Sequence, residues 1–260
     1  MLEQIQQRDR ALSLARSVLE EKVRERTAEL TEANKELEAF SYSVAHDLRG
    51  PLQHIINIAF LLQTSLPPEA RPGDRALIEN LLEGCSRMSS LIDDLLNLSR
   101  ATSTPLHRAA IDLSHTAETV LAGLQTAHKE RHVKVAIAKG ARAIADEGLI
   151  QVVLENLLGN AWKYTTKRDE AEITFGFSDD SAQPVYFVKG NGAGFNPRYA
   201  DRLFRPFQRL HSQTEFAGTG IGLATAARIV ARHGGKIWAE GDVDKGATFY
   251  FTLPYQAEKS

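Results

Sequence analysis

The amino-terminal part of the chain repeats apolar side chains at heptad spacing and contains no Gly or Pro over residues 1–40. One seam position holds Leu2, Val23, Leu30, Leu37 and Val44, and the other holds Ile5, Leu12, Leu19, Ala33 and Phe40. Charged residues interrupt this seam at Asp9, Arg16 and Arg26. A sustained heptad pattern with charges in its seam predicts a weak or adjustable coiled coil, in preference to a lone solvated helix that would leave the stripe exposed.

The helical pattern continues to about Thr64, and a second amphipathic helix follows the turn-forming segment Ser65–Asp74. The apolar stripe of this second helix consists of Leu81, Cys85, Met88, Ile92 and Leu95. Two amphipathic helices joined by one loop form an antiparallel hairpin, which buries little apolar surface alone. Two hairpins from two chains would close a four-helix bundle, so the pattern predicts a homodimer.

The character of the chain changes after a linker predicted at Ala101–Pro105. The predicted strands are Val133–Ala138, Glu172–Phe177, Val185–Lys189, Lys236–Glu240 and Thr248–Leu253. The predicted helices are Ser114–Lys129, Gly148–Thr165, Tyr199–Phe204 and Gly220–His233. Because the strands cluster late and are arranged like hairpins, we expect an α+β layer sandwich. The predicted fold class is therefore multidomain, α followed by α+β, with domains at residues 1–38, 39–103 and 104–260.

Composition bears on which classes of partner the chain can bind and on the cellular compartment that suits it. A length of 260 residues suits two domains, and a net charge of −2 leaves no electrostatic footprint for nucleic acid. The one cysteine, Cys85, lies on an apolar helical face, excludes an internal disulfide, and suits a reducing cytoplasm. The longest apolar run, Ile55–Leu62, is interrupted by Asn57 and is too short to span a membrane. We therefore expect a cytoplasmic protein with no signal peptide or membrane segment in this chain.

A candidate nucleophile lies in the first long helix, where His46 and Asp47 are followed by Pro51. Proline in a helix interior costs roughly 3 kcal/mol, so a His-Asp step placed just before one is unusual. His46 falls off the apolar seam, and its ring should therefore face solvent. An exposed imidazole beside a carboxylate is a candidate nucleophile with an adjacent base.

Three later segments carry groups that suit a phosphate ligand. Asn156, Asn160 and Lys163 recur on one helical face and offer amide oxygens and an ammonium, although a solvated face has the same pattern. The Asn191–Phe195 loop contains a Gly-x-Gly that permits close approach of a ligand. The Gly218–Leu223 segment opens a helix, whose N-terminal amides bind phosphate well. The stretch His211–Ala217 before it would act as a lid.

Taken in order, these segments resemble the catalytic core of sensor histidine kinases. The His46 segment resembles their phospho-acceptor box, and the later motifs resemble their Bergerat-fold ATP-binding domain. The likeness covers residues from about 20 to 254, and residues 25–30 resemble the linker that follows PAS or phytochrome sensors. It implies a homodimer that uses ATP and Mg²⁺, an N-terminal sensor domain absent from this chain, and a response-regulator receiver as partner.

The resemblance also implies roles for individual residues. His46 would attack the γ-phosphate of ATP, Asp47 would orient and deprotonate its ring, and Arg209 would reach the γ-phosphate. Asn160 would be the magnesium ligand, and Phe207 would pack the closed lid. The remaining cofactor-binding positions implied are Asn156, Lys163, Tyr164, Gly190, Gly192, Gly194, Gly218, Gly220, Gly222 and Thr248.

Two positions depart from the family pattern. Gly190 stands where the family has an aspartate that accepts a hydrogen bond from the adenine amino group. Either nucleotide binding and adenine selectivity are weakened, which we favour, or a water or carbonyl fills the gap. Gly50 stands where many members carry Thr or Asn, which positions the water that dephosphorylates the receiver, so we expect weak phosphatase activity.

These features leave two hypotheses of different kinds. The first is an active kinase that phosphorylates His46 and passes the phosphoryl group to a response-regulator aspartate. The second is a degenerate kinase, a dimeric module that acts through partner binding or phosphotransfer alone. An ATP-driven clamp of the chaperone kind is excluded because an acceptor-histidine hairpin precedes the ATP-binding motifs.

Overall fold

The computed structural model describes residues 2–67, 71–103, 105–178, 183–212, 215–216 and 218–254. Its amino-terminal part is a hairpin of two helices, α1 (Leu2–Ser65) and α2 (Pro72–Ser103). The predicted turn is thus shorter than Ser65–Asp74, and its residues 68–70 lie outside the described part. The linker prediction is wrong for residues 101–103, where the helix continues, while Thr104 lies outside the described part.

Helix α1 is continuous through Pro51, and its heptad stripe faces solvent in the single chain. Leu12, Leu19 and Leu30 are all exposed. The side chains of the seam residues Leu2, Ile5, Asp9 and Leu37 lie outside the described part. The long helix is confirmed, whereas its pairing with a second chain in a coiled coil stays a prediction.

A small apolar core joins α1 to α2. It consists of the buried side chains of Ala45, Leu52, Cys85, Ile92 and Leu96. Fully burying a Leu or Ile side chain stabilises a fold by about 1.5–3 kcal/mol, so this core is modest. The predicted burial of Cys85 is confirmed. In the described part of the chain, neither α1 nor α2 nor any other helix has a stretch long and apolar enough to cross a membrane.

The carboxyl-terminal part is a layer sandwich built on a mixed five-stranded sheet. The sheet order is β2-β4-β5-β7-β6, with strands Val133–Ile137, Ala171–Ser178, Val185–Gly190, Gly246–Thr252 and Ile237–Asp242 in that order. Only β2 and β4 are parallel, and the other neighbours are antiparallel. The sandwich and its five predicted strands are confirmed to within a few residues at each end.

Three helices cover one face of this sheet: α3 (Leu113–Ala127), α4 (Glu147–Tyr164) and α5 (Gly222–Arg232). Aspartate side chains cap two of them, since Asp112 accepts from the His115 amide and Asp146 accepts from the Leu149 amide, both at 3.1 Å. Because side chains alternate across a strand, every second residue of the sheet points into this layer. The residues buried there include Ile173, Phe175, Val188, Phe249 and Phe251.

A second, two-stranded sheet pairs β1 (Ala109–Asp112) with β3 (Arg142–Ala145) in antiparallel register. The sequence analysis missed both strands, because four-residue segments rich in alanine carry no clear period. The predicted helix at Tyr199–Phe204 is a short 3₁₀ helix at Pro197–Arg202. The two parts of the chain meet where α2 packs against α5.

Candidate functional site

A cleft of about 320 Å³ opens between α4, the end of β5, the segment before α5, and α2. The sequence-predicted residues that line it are Asn156, Asn160, Lys163, Tyr164, Gly190, Gly192, Gly194, Arg209, Gly218, Gly220 and Gly222. Helix α4 supplies the polar floor, since one face of it carries the two asparagines and the lysine predicted to share a face. The structure therefore brings together most of the predicted site in one place.

Among the polar side chains that α4 presents to the cleft, Asn156 has neighbours within the protein. The Asn156 amide donates to the Val152 carbonyl at 2.8 Å, and its oxygen lies against Gly222 at the start of α5. A side chain at position 222 would place its Cβ 1.9 Å from that oxygen, so the Asn156 side chain would have to move. Asn156 therefore lies between α4 and the N-terminus of α5, at the edge of the cleft.

Lys163 is the cationic group of the cleft. Its ammonium lies 4.4 Å from the centre of the Tyr164 ring and next to Gly218. Burial, together with the nearby Arg209 charge, lowers the pKa of Lys163 to about 8, although the Asp94 carboxylate acts in the opposite direction. A lysine with this pKa changes its charge in the neutral to mildly alkaline range.

We expect affinity for a nucleoside triphosphate to fall as the pH rises from 7.5 to 9.5. Because the pKa of Lys163 is about 8 in the free chain and a polyphosphate would raise it, binding above this pH requires proton uptake. The loss should approach about tenfold per pH unit until the pKa in the complex is reached. Calorimetric titrations in buffers of different ionisation heat measure the uptake. Lys163→Arg, which stays charged, is the control, and an equally steep fall in that variant would contradict the prediction.

The two glycines of the Asn191–Phe195 loop pack against protein backbone. A Cβ on Gly192 would lie 2.3 Å from the Tyr164 carbonyl oxygen, and one on Gly194 would lie 1.8 Å from the Asp242 carbonyl oxygen. Gly194 also has a positive φ of 61°. Close packing of this loop therefore requires both glycines, whose predicted role in the close approach of a ligand stays a prediction.

Arg168, which the sequence analysis missed, holds the same loop from outside. Its guanidinium donates to the carbonyls of Asn191 at 2.9 Å and Gly192 at 3.2 Å, and also to the Asp244 carbonyl. Three carbonyls bound by one rigid guanidinium fix the loop against the turn between β6 and β7. A lone arginine in a polar turn gives no sequence signal for such a role.

Gly190 ends β5 at the bottom of the cleft and is buried. A Cβ at this position would meet the Ala161 side chain at 3.4 Å and the Thr165 methyl at 3.5 Å, which is ordinary van der Waals contact. The Thr165 hydroxyl donates to the Ala161 carbonyl and accepts from Arg131 at 2.7 Å. This end of the cleft therefore has space for a side chain at position 190 but presents no carboxylate.

The described part of the predicted lid closes over the cleft through an aromatic cluster. Phe216 is only 5% exposed and its ring centre lies 4.9 Å from that of Tyr164. His211 lies 5.3 Å from Tyr164 and bonds the Gly194 carbonyl at 2.8 Å. Residues 213, 214 and 217 of the predicted lid lie outside the described part. Phe216 was not singled out from the sequence, where it sits in a stretch without periodicity.

Two residues that precede the lid, Phe207 and Arg209, have surroundings that differ from those implied by the resemblance. Phe207 does not pack the lid, because it is 66% exposed and has a positive φ of 62°, a costly conformation for a bulky residue. The Arg209 guanidinium points along the lid, where it donates to the carbonyls of Phe216 at 2.6 Å and Gly218. Arg209 lines the cleft but here stabilises the lid backbone.

Thr248 was predicted to bind the cofactor, and the structure contradicts this. In the register of the sheet Thr248 pairs with Lys189 and Glu240, which share its face. Its neighbours Ala247 and Phe249 point into the cleft, so Thr248 faces the opposite side of the sheet. The prediction failed because a one-residue shift along a strand changes the face.

His46 lies on α1 with its side chain 71% exposed, which confirms that the ring faces solvent. Its Nδ1 lies 3.3 Å from the Asp47 carboxylate. One turn further along α1, Arg49 pairs with Asp93 of α2 at 2.5 Å. The next residue of α2, Asp94, lines the cleft. The turn of α1 that follows His46 thus contacts, through Arg49 and Asp93, the turn of α2 that lines the cleft.

Two further cleft residues, Asp94 and Thr219, are far apart in the sequence. The Thr219 hydroxyl donates to the carboxylate of Asp94, and the two residues are separated by 125 positions. Thr219 lies inside the glycine-rich motif but was not singled out, and Asp94 was missed entirely. No local pattern can indicate a contact between residues so far apart in the chain.

The cleft offers oxygen ligands that suit Mg²⁺. Asn160 lines it, half-buried, and an amide oxygen is a hard ligand of the type that Mg²⁺ accepts. No group of three or more His, Cys, Asp or Glu side chains in the described part of the chain could hold a metal ion. Asn160 therefore stays the predicted Mg²⁺ ligand of the cleft.

Comparison with known proteins assigns both parts of the chain. Residues 36–104 match the family His Kinase A (phospho-acceptor) domain. Residues 145–257 match the family Histidine kinase-, DNA gyrase B-, and HSP90-like ATPase. Cyanobacterial phytochrome B of Nostoc sp. (strain PCC 7120) is 37% identical over 229 residues, which are 86% of this chain and 30% of that protein. The chain thus spans under a third of this relative's length.

Solved structures show the same architecture. Full-length ShkA in complex with AMPPNP has a TM-score of 0.64 at 25% identity, covering 85% of this chain and 46% of that one. Histidine kinase ThkA in complex with response regulator TrrA has a TM-score of 0.58 at 23% identity, covering 84% of this chain and 61% of that one. The chain therefore belongs to the sensor histidine kinases, and residues 36–104 and 145–257 form the two parts of their catalytic core.

Proposed function

We propose that the chain binds ATP with Mg²⁺ in the cleft, transfers the γ-phosphoryl group to His46, and passes it on to a response-regulator aspartate. One observation carries the proposal. The turn of α1 that follows the exposed imidazole contacts, through Arg49 and Asp93, the turn of α2 that lines the cleft. Lys163, the N-terminus of α5 and Arg209 supply the positive charge that a triphosphate needs. This assigns Asn156, Asn160, Lys163 and the cleft glycines to nucleotide binding.

The geometry at His46 suggests how the transfer proceeds. When Nδ1 carries the proton and donates it toward Asp47, 3.3 Å away, the lone pair of Nε2 is free. Nε2 forms a bond to the γ-phosphorus as the bond from that phosphorus to the bridging oxygen breaks, and ADP leaves. The Nδ1 proton of the resulting imidazolium passes to the Asp47 carboxylate, which acts as the base.

The surface of the hairpin supports a dimeric assembly. Many large apolar side chains of α1 and α2 are exposed in the single chain: Leu48, Ile55, Ile58, Phe60, Leu61, Leu62, Leu77, Leu81, Met88 and Leu91. Exposed apolar side chains in this number are typical of an interaction surface, whereas single ones are ordinary. We propose that a second copy covers it in a four-helix bundle, and that a sensor domain and a receiver domain are the further partners.

Gly190 favours a second candidate function, a weakened kinase that acts through phosphotransfer or partner binding. Because this end of the cleft offers no carboxylate at position 190, the hydrogen bond to an adenine amino group is lost. A hydrogen bond to a charged group contributes about 1.5–3 kcal/mol, which corresponds to roughly a tenfold to hundredfold loss of affinity. The two candidates differ in whether the chain labels itself from ATP.

The test is incubation of the purified chain with Mg²⁺ and γ-labelled ATP. We expect acid-labile label on the original chain that disappears in His46→Gln and persists in His54→Gln. His54 is an exposed histidine on the same helix and serves as the matched control. Label that survives in the His46→Gln variant would contradict the assignment of the acceptor. Absence of label on the original chain, with transfer from a chemically phosphorylated His46, would favour the second candidate.

Gly50 should limit removal of phosphate from a receiver domain. Position 50 is exposed and a Cβ there would have no atom within 4 Å, so a larger side chain fits. We expect the original chain to accelerate decay of a phosphorylated receiver little, and Gly50→Asn to accelerate it several-fold. Gly50→Ala, which fits equally but forms no hydrogen bond, is the control. Rapid decay with the original chain would refute the expectation.

A further inference from the structure

A carboxylate from the helical hairpin reaches into the nucleotide cleft. Asp94 of α2 accepts a hydrogen bond from the Thr219 hydroxyl in the segment before α5. The Thr219 oxygen in turn accepts from the Ile221 amide at 3.4 Å. Through this relay the positive end of α5 faces the Asp94 carboxylate. The contact joins the two parts of the chain at the point where α2 packs on α5.

This carboxylate lies where the cleft is built to hold an anion. The groups around it are the Lys163 ammonium, the backbone of the Gly218–Gly222 segment and the N-terminus of α5, which are typical phosphate ligands. Asp94 and Lys163 attract each other, since Asp94 favours the charged form of the lysine. In the structure the anion among these groups is therefore a side chain of the protein itself.

We propose that Asp94 is an internal competitor of the nucleotide's phosphates, which holds the Gly218–Leu223 segment and the cleft in a low-affinity state until a triphosphate displaces it. The inference rests on the proposed nucleotide site and adds regulation to it. Any motion of α2 that withdraws Asp94 raises affinity for nucleotide, so the hairpin controls the cleft through this contact. A bound triphosphate and an ionised Asp94 exclude each other from the anion-binding end because their like charges repel.

The contact is weak enough to be displaced. Burial raises the pKa of Asp94 in spite of the hydrogen bond from Thr219, so ionisation at this position is unfavourable relative to water. A polyphosphate brings several charges to the same ligands and can replace a single carboxylate. We call the contact between Asp94 and Thr219 the latch. If most molecules have the latch formed, the apparent affinity for nucleotide is the intrinsic affinity multiplied by the fraction of molecules in which the latch is broken.

The decisive experiment compares Asp94 with its neighbour on the same helix. Asp93 pairs with Arg49 on the surface of the hairpin and serves as the matched control. Inorganic tripolyphosphate and Mg²⁺–AMPPNP are titrated calorimetrically into the original chain, Asp94→Ala, Asp94→Asn and Asp93→Ala. We expect both Asp94 variants to bind both probes about three- to tenfold more tightly, and Asp93→Ala to bind as the original does. Unchanged or weaker binding in both Asp94 variants overturns the inference.

A ligand-free measurement separates this inference from the proposed function. Amide hydrogen exchange of the Gly218–Leu223 segment should be faster in Asp94→Ala than in the original chain and Asp93→Ala, because this segment loses the contact of Thr219 with α2. Equal exchange in all three chains overturns the latch whether or not a nucleotide binds. If exchange and tripolyphosphate affinity change as expected while AMPPNP binds no variant, the latch stands and the proposed nucleotide function fails.

Discussion

A Gly190→Asp chain should bind ATP roughly ten to a hundred times more tightly than the original chain. The added carboxylate would accept a hydrogen bond from the adenine amino group, a contact to a charged group that contributes about 1.5–3 kcal/mol. At about 1.4 kcal/mol per tenfold change, this gives the stated range. Label incorporation at subsaturating ATP should rise in proportion, because the substitution is expected to change binding of the adenine and not the groups that bind the phosphates.

The structure has room for a Cβ at position 190. A Cβ at position 190 would lie 3.4 Å from the Ala161 side chain and 3.5 Å from the Thr165 methyl, without a clash. The position has an ordinary strand conformation in register with Ala247 of β7. Burial of the new carboxylate has a cost, which partly offsets the gain until the nucleotide is bound. The gain should therefore appear in binding and leave the free chain slightly less stable.

Gly190→Asn is the control for charge, since it has the same shape and a neutral amide. We expect Asn to recover a smaller part of the affinity than Asp, and Asp alone to restore discrimination between ATP and GTP. Fluorescence or calorimetric titration with both nucleotides measures these differences. Equal affinity of the original and Gly190→Asp chains for ATP would show that another group already reads the adenine, and that the site tolerates glycine.

Periodicity was sufficient for most of the fold. The heptad stripe of α1, the apolar stripe through Cys85 and the strand alternation of the sheet each predicted an element that the structure contains. These patterns succeed because burial of one face dictates the spacing of apolar residues. The short strands β1 and β3 escaped detection because their pairing, Ala109 with Ala145, depends on a partner across a helix and a strand.

The sequence placed candidate residues on the cleft side of the fold where helical spacing determines which way their side chains point. The i, i+4 and i, i+7 spacing of Asn156, Asn160 and Lys163 placed all three on the cleft side of α4. Thr248 failed because its direction depends on strand register, which the sequence did not determine. The contact of Asp94 with Thr219 could not be predicted at all, since it depends on how the hairpin docks against α5.

The glycines illustrate a different limit, because their place beside the cleft was predicted and the packing that requires them was not. A Gly-x-Gly beside a cleft resembles a ligand-binding loop, yet Gly192 and Gly194 face backbone carbonyls of the protein. Sequence shows that a side chain is absent but does not show which atoms require its absence. Adding a side chain at these positions should therefore destabilise the fold before it weakens ligand binding.

Gly194→Ala should destabilise the ATP-binding part of the chain by about 2–5 kcal/mol. The left-handed conformation, with φ of 61°, costs a non-glycine residue about 1–2 kcal/mol. The new Cβ would also lie 1.8 Å from the Asp242 carbonyl oxygen, and relief of such overpacking costs typically 1–3 kcal/mol. Because domains are stable by only about 5–15 kcal/mol, the loss would lower the urea midpoint substantially.

Gly123→Ala is the matched control, for which the expected change in the stability of the same domain has the opposite sign. Gly123 lies inside α3, and a Cβ there would meet no atom within 4 Å. Alanine should therefore stabilise the same domain by about 0.5–1 kcal/mol through helix propensity. The chain has two tryptophans, Trp162 and Trp238, both in this domain, so their fluorescence follows its unfolding without signal from the hairpin. A Gly194→Ala midpoint equal to that of the original chain would mean that the turn between β6 and β7 yields freely, and that the loop glycines serve the ligand after all.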